Sequence, residues 1–248
     1  MDLDGRFAVV SGAGSGLGRA VVDALTVRSV RVVALDLNVD AIANLAGVVA
    51  VACDVSDGRA VEAAMDQLPA GEPALAVSCA GVAPAERLVG RDGPHGQASF
   101  ERTLAVNVVG TFNVMRLAAA RMVAGPAAAP GMTRGVIVNT ASIAASEGQI
   151  GQCAYAASKG AVAGLTLPAA RELARSGIRV VAIAPGLFGT PMITSMPEDV
   201  QRSLGSSVPF PTRAGDPAEF AALVLHIAAN DYFNGSTIRL DGALRMGA

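Results

Sequence analysis

Seven short apolar runs punctuate the chain: Phe7–Val10, Val32–Leu35, Val48–Ala52, Leu75–Val77, Val136–Val138, Val180–Ala184 and Thr237–Leu240. They are rich in Val and Ile and lack polar alternation, the pattern of parallel strands covered on both faces. Helical stretches lie between most of them: Gly16–Val27, Asp57–Leu68, Glu101–Ala124 and Tyr155–Ser176. In Glu101–Ala124 the spacing of Leu104, Val108, Phe112 and Met115 predicts an apolar stripe. Strand and helix in alternation predict an α/β, doubly wound sheet with right-handed crossovers. Two segments break the pattern, a polar loop at Pro84–Ala98 and an irregular excursion at Pro185–Pro211. Pro168 falls inside the Tyr155–Ser176 helix, where a missing N–H predicts a kink.

Composition adds bounds. With 248 residues and no break in composition, a single domain over 1–248 is expected. A net charge of −2 and no basic run argue against nucleic-acid binding. The longest uncharged stretch, Val180–Pro197, carries three prolines and is not expected to span a membrane. Cys53, Cys79 and Cys153 are odd in number and widely spaced, and the first residues run straight into a strand, so a reduced, cytoplasmic chain is expected. His95 and His226 stand 131 residues apart without ligand spacing, so no metal site is expected. Arg116 and Arg121 read as solvated or interface charges. The basic residues are lopsided: 18 arginines and one lysine, Lys159.

The first strand leads into Ser11-Gly-Ala-Gly-Ser-Gly-Leu-Gly18 and then a helix. Gly12, Gly16 and Gly18 allow a tight turn and let backbone approach a pyrophosphate at the helix N-terminus. Asp36 ends the second strand, 18 residues beyond Gly18. A carboxylate there accepts ribose hydroxyls and repels a 2′-phosphate, and its neighbours Leu37, Asn38 and Val39 offer no cation, so NAD is favoured over NADP. Asp54, ending the third strand, is similarly placed for the adenine edge.

Tyr155 and Lys159 are four apart, one helical turn on one face. A free phenol with a pKa of about 10 is a poor base at neutral pH. The ammonium, and a positive nicotinamide, are expected to lower it. Ser142 lies 13 residues upstream, past a strand at the sheet's carboxyl edge, where its hydroxyl could hold a carbinol or carbonyl oxygen. Proton transfer at Tyr155 coupled to hydride transfer to NAD follows.

The joint pattern of Ser-Gly-x-x-x-Gly-x-Gly, Cys79-Ala80-Gly81, Asn107, Ser142, Tyr155-x-x-x-Lys159 and Pro185-Gly186 resembles the short-chain dehydrogenases/reductases over essentially the whole chain. The resemblance implies a Rossmann fold with a seven-stranded parallel sheet and a catalytic set of Asn107, Ser142, Tyr155 and Lys159. It also implies that the Asn107 position holds a water linking the lysine to solvent. Lys159 would bond the nicotinamide ribose, and Pro185–Thr190 would border the nicotinamide. Gly148–Lys159, Ala184–Pro191, Val208–Pro217 and Ile238–Ala243 are similar to a subgroup, the type-2 3-hydroxyacyl-CoA dehydrogenases, which use NAD on (S)-3-hydroxyacyl-CoAs and also on hydroxysteroids. By that resemblance Ser15, Leu17, Asp36, Asp54, Val55, Cys79, Phe188 and Thr190 line the dinucleotide, residues 185–211 cover the substrate, and the chain forms a homotetramer. Cys79 would serve as a small wall of that site. Ser78 stands where the family carries Asn, putting one strand-bridging hydrogen bond in question, and Pro84–Ala98 has its own sequence at the substrate mouth. The competing readings are a 3-oxoacyl-[acyl-carrier-protein] reductase and a non-catalytic NAD-binding scaffold.

Overall fold

The computed structural model describes all residues except 2, 4, 68–70, 92, 126–128, 130 and 248. Strands β1 (Phe7–Ser11) and β2 (Arg31–Asp36) flank helix α1 (Gly16–Thr26), and β3 (Val48–Ala52) and β4 (Pro73–Ser78) flank helix α2 (Gly58–Asp66). A short hairpin, β5 (Val89–Gly90) and β6 (Gly93–Pro94), precedes α3 (Gln97–Leu104), a π-helical stretch at Ala105–Gly110 and α4 (Thr111–Ala124). Next come β7 (Gly135–Thr140), α5 (Ala144–Glu147), α6 (Cys153–Leu173) with a 3₁₀ turn at Ala174–Ser176, and β8 (Ile178–Pro185). The chain closes with α7 (Pro191–Thr194), α8 (Glu198–Ser206), α9 (Pro217–Ala229) and β9 (Thr237–Leu240).

All seven long strands pair in parallel, in the order β3-β2-β1-β4-β7-β8-β9. The chain winds outward from β1 in one direction and from β4 in the other, which leaves a crevice at the carboxyl ends of these two strands. Both faces are covered, which is why the strands read as unbroken apolar runs. Val21, Val22 and Leu25 of α1 and Phe220, Val224 and Ile227 of α9 pack on one face, against Val10, Val77 and Val138. Val61 and Met65 of α2 and Val114, Ala118 and Met122 of α4 pack on the other, against Val9, Ala76 and Ile137.

Several expectations are corrected. The helix expected at Glu101–Ala124 begins at Gln97, and its middle is π-helical, so one turn holds an extra residue. The buried stripe is accordingly Thr103, Asn107, Val114, Ala118 and Met122; of the expected stripe only Met115 is buried, and Phe112 is 45% exposed. This helical run is long and apolar enough by composition to cross a membrane, but half of that window is buried within the domain. The helix expected at Asp57–Leu68 starts one residue later because Asp57 caps it, accepting from the Arg59 N–H at 2.9 Å; Leu68 lies outside the described residues. Within Pro84–Ala98 the chain forms the short hairpin, with Asp92 outside the described residues, and within Pro185–Pro211 it forms α7 and α8. Pro191 at the first turn starts α7, and Glu198 and Asp199 favour the N-terminus of α8. Pro168 lies inside helix α6, where it has no N–H to give to the helical ladder.

Candidate active site

Local turns at the carboxyl ends of β1 and β4 build a cleft of about 520 Å³. Ser15 occupies the N-cap position of α1. A Cβ on Gly12, whose φ is +66°, would stand 2.5 Å from the Ala80 nitrogen, and one on Gly18 would collide with the Gly12 carbonyl oxygen. The two glycines therefore let β1, α1 and the β4 turn close on one another. Asp36 ends β2 with one carboxylate oxygen accepting the Gly14 N–H at 2.8 Å and the other the Asn38 N–H at 3.1 Å. That carboxylate both fixes the glycine loop and faces the cleft. Asp54 accepts the Ser56 hydroxyl at 2.7 Å and the Ser56 N–H at 2.9 Å, and these bonds hold its carboxyl below the usual range.

Every residue expected to line a dinucleotide borders this cleft. Gly12, Ser15, Gly16, Leu17 and Gly18 come from the first turn, Asp36, Asp54 and Val55 from the ends of β2 and β3. Cys79, Ala80 and Gly81 follow β4, and Pro185, Gly186, Phe188 and Thr190 come from the end of β8 and the turn after it. Burial pushes the Cys79 thiol up to about 11, consistent with a wall and not a nucleophile. Phe188 is buried edge-to-face on Phe220, ring centroids 6.4 Å apart.

At the inner end lie Ser142, Tyr155 and Lys159. The turn after β7 places Ser142, whose Oγ accepts the Ala144 N–H at 3.1 Å. Helix α6 presents Tyr155 and, one turn on, Lys159, whose Nζ is 5.7 Å from the Tyr155 ring centroid and donates to the Thr140 carbonyl at 2.7 Å. Lys159 is 5% exposed, and burial lowers its ammonium from 10.5 to about 8. The Tyr155 phenol is pushed above its ordinary value by burial, with the Ser142 hydrogen bond working in the opposite direction. The expected net lowering of Tyr155 is therefore not produced by the protein groups alone, because desolvation outweighs the Ser142 hydrogen bond.

Asn107 does not border the cleft; it is fully buried behind it. Its Oδ1 accepts the Val82 N–H at 2.8 Å, and its Nδ2 donates to the Val82 carbonyl and to Ser158 Oγ, each at 2.9 Å. Gly81 separates it from Lys159: a Cβ there would stand 3.2 Å from Asn107 Oδ1 and 3.7 Å from Lys159 Nζ. The departure at Ser78 has a structural counterpart. Ser78 and Asn139 are register partners on β4 and β7, and the Ser78 Oγ and Asn139 Oδ1 are both buried without a hydrogen-bond partner among the described residues.

Sequence reasoning missed the Thr140 carbonyl, the acceptor for Lys159, and also Arg102 and Val106, which border the cleft beside Asp54 and Val55. A main-chain acceptor leaves no signature in residue type. The two histidines lie elsewhere, His95 in the loop before α3 and His226 on α9 against Phe233. Among the described residues no group of three or more His, Cys, Asp or Glu lies together as a metal site would require. Arg121 pairs with Asp66 on the surface, and Arg116 donates to Asn113.

The family model described as short chain dehydrogenase matches residues 6–201 of the chain. The chain belongs to the short-chain dehydrogenases. As a member of that family it is an oxidoreductase acting on a small-molecule substrate. This short-chain dehydrogenase is 48% identical to the human 3-hydroxyacyl-CoA dehydrogenase type-2, over 98% of this chain and 97% of the relative. The crystal structure of 3-hydroxyacyl-CoA dehydrogenase type-2 from Mycobacterium avium superposes with a TM-score of 0.92 at 40% identity, over 99% of this chain and 98% of the other. A 3-oxoacyl-[acyl-carrier protein] reductase from Brucella melitensis with bound NAD superposes with a TM-score of 0.82 at 32% identity, over 98% and 92% of the two chains.

Proposed function

We propose that this short-chain dehydrogenase uses NAD to interconvert (S)-3-hydroxyacyl-CoA and 3-oxoacyl-CoA, with hydroxysteroids as secondary substrates. The observation that carries the chemistry is the facing pair of Ser142 and Tyr155 hydroxyls, with the Lys159 ammonium buried one turn away. Similarity over the full length to proteins named for 3-hydroxyacyl-CoA supports the substrate.

The residues present fit a dinucleotide, because the Gly12 and Gly18 turn leaves backbone where a pyrophosphate needs close approach and Asp36 stands at the ribose end. When bound, the nicotinamide supplies or accepts the hydride. Ser142 donates a hydrogen bond to the substrate oxygen, and Tyr155 passes a proton to it during reduction or takes one during oxidation. Lys159 holds positive charge beside that proton and would hold the nicotinamide ribose when the dinucleotide is bound. Asn107, fixed by Val82 and Ser158, would hold a water behind Lys159. Residues 185–211, with α7 and α8, cover the substrate.

Purified protein is expected to reduce acetoacetyl-CoA with NADH at a kcat/KM at least about tenfold above that with NADPH, since a 2′-phosphate would meet the Asp36 carboxylate. A preference for NADPH overturns this reading and returns the acyl-carrier-protein reductase as the alternative. The intact set of Ser142, Tyr155 and Lys159 stands against a non-catalytic scaffold.

A homotetramer is part of the proposal. Val109 in the π-helical stretch, Phe112 in α4 and Leu167 in α6 are each close to half exposed, apolar side chains on the helices that resemble those through which this family pairs its subunits. Sedimentation at micromolar concentration is expected to give a tetramer, and a monomer contradicts it. The free thiols of Cys53, Cys79 and Cys153 suit a reducing, cytoplasmic location.

A further inference from the structure

The chain's last segment closes on the back of the active site. Glu147 ends α5, the single turn that begins just after Ser142. Its carboxylate accepts Arg239 Nη1 at 2.8 Å and Nη2 at 3.2 Å, the two-pronged geometry available to a guanidinium, and also the Met246 N–H at 3.2 Å. Arg239 is itself fixed: its Nε donates to Asp241 at 2.7 Å and its Nη2 to the Leu244 carbonyl at 3.0 Å. Asp241 also receives Arg245 Nη1 at 3.2 Å.

The same segment grips the other wall of the cleft. The Gly186 N–H donates to the Leu240 carbonyl at 2.9 Å, and a Cβ on Gly186 would stand 2.8 Å from the Asp241 Cβ. The Ile143 N–H, next to Ser142, donates to the Pro185 carbonyl at 3.2 Å, and Ile143, Leu244 and Val208 form one buried apolar cluster with Leu187 and Met246 against it. The Ser142 turn, the Pro185–Leu187 turn and the end of the 185–211 excursion are thus braced by residues 239–246.

We propose that Glu147, Arg239 and Asp241 are positioning residues that hold the Ser142 hydroxyl in register for the reaction. None of the three borders the cleft; they act by fixing the turn that carries Ser142. The pairs are two-thirds or more shielded from water, Glu147 at 21%, Asp241 at 10% and Arg239 at 30% exposed, so their geometry is held more tightly than that of a surface ion pair. A displacement of Ser142 by about 1 Å is enough to lower turnover on the order of 10²-fold.

This proposal rests on the reading that Ser142 takes part in turnover, and it is tested by a double-mutant cycle on whichever secondary alcohol or ketone the wild-type enzyme turns over. Glu147→Gln is expected to lower kcat about tenfold or more while the NADH dissociation constant, read by fluorescence, stays within about twofold. In a Ser142→Ala background the same substitution is expected to have almost no further effect, because the group it positions is gone. Losses that multiply, or a Glu147→Gln enzyme with wild-type kcat, overturn the proposal. Should Glu147→Gln fail to fold, Arg239→Lys carries the same cycle, since it keeps the charge and loses the two-pronged bond. Failure of the substrate reading shows separately, as a wild-type enzyme inactive on acetoacetyl-CoA.

Discussion

Replacing Tyr155 with Phe is expected to lower kcat by about 10²–10⁴-fold, the range that a positioned general acid or base contributes. The ring stays and only the hydroxyl is lost. That hydroxyl faces Ser142, whose own Oγ keeps its bond from the Ala144 N–H. No backbone group is left unsatisfied, so thermal stability should hold. The dinucleotide contacts proposed for the glycine turn and Asp36 are untouched, so NADH affinity should stay within about twofold, the split expected of an interaction made only in the transition state. Retention of more than about a tenth of wild-type kcat would remove Tyr155 as the proton carrier.

The pH dependence follows from the direction of the shift. Burial raises the phenol above its ordinary value, so the protonated form is favoured at neutral pH. Reduction needs that proton, and its rate should hold through neutral pH and fall as pH rises through the pKa. Oxidation needs the phenolate, and its rate should rise over the same interval. Tyr155→Phe should erase both inflections, and pH–rate profiles in the two directions check the sign.

What the sequence revealed of this site tracks how local each signal was. The glycine turn, Asp36 at a strand end and Tyr155 with Lys159 on one helix are set by spacing within single elements, and all of them border the cleft. The strand runs were legible because burial on both faces removes polar alternation. The stripe through Phe112 failed because a π-helical turn shifts the face of everything beyond it, and no residue-level periodicity announces that extra residue. Asn107 came only from family resemblance; its three bonds reach Val82 and Ser158, 25 and 51 residues away. The Glu147–Arg239 clasp joins residues 92 apart, and neither sits in a pattern that marks the other. Pairings of that range become visible only when the sheet order brings β9 beside β8.

Lys159→Arg is the sharper test, because the chain already uses arginine in 18 of its 19 strong cationic positions. Arginine would serve wherever a solvated charge is enough. Here the ammonium is 5% exposed, donates to the Thr140 carbonyl at 2.7 Å and lies 3.7 Å from where a Cβ on Gly81 would stand. A planar guanidinium brings five donors into a space where Thr140 is the one acceptor seen for Lys159 among the described residues. The expected result is a fall in kcat of about 10²-fold or more, from the misplaced charge and loss of the proposed ribose contact. Stability should respond as well. Lysine's folded value of about 8 lies below its ordinary 10.5, so the penalty for burying its charge is fully present below about 8 and fades as pH rises toward 10.5. Arginine stays charged throughout that interval and gains no such relief. The Tm difference between wild type and Lys159→Arg should therefore widen between about pH 8 and 10.5, a trend that differential scanning calorimetry reads directly. A Lys159→Arg enzyme that kept most of its activity and a constant Tm offset would leave the lone lysine as a compositional accident.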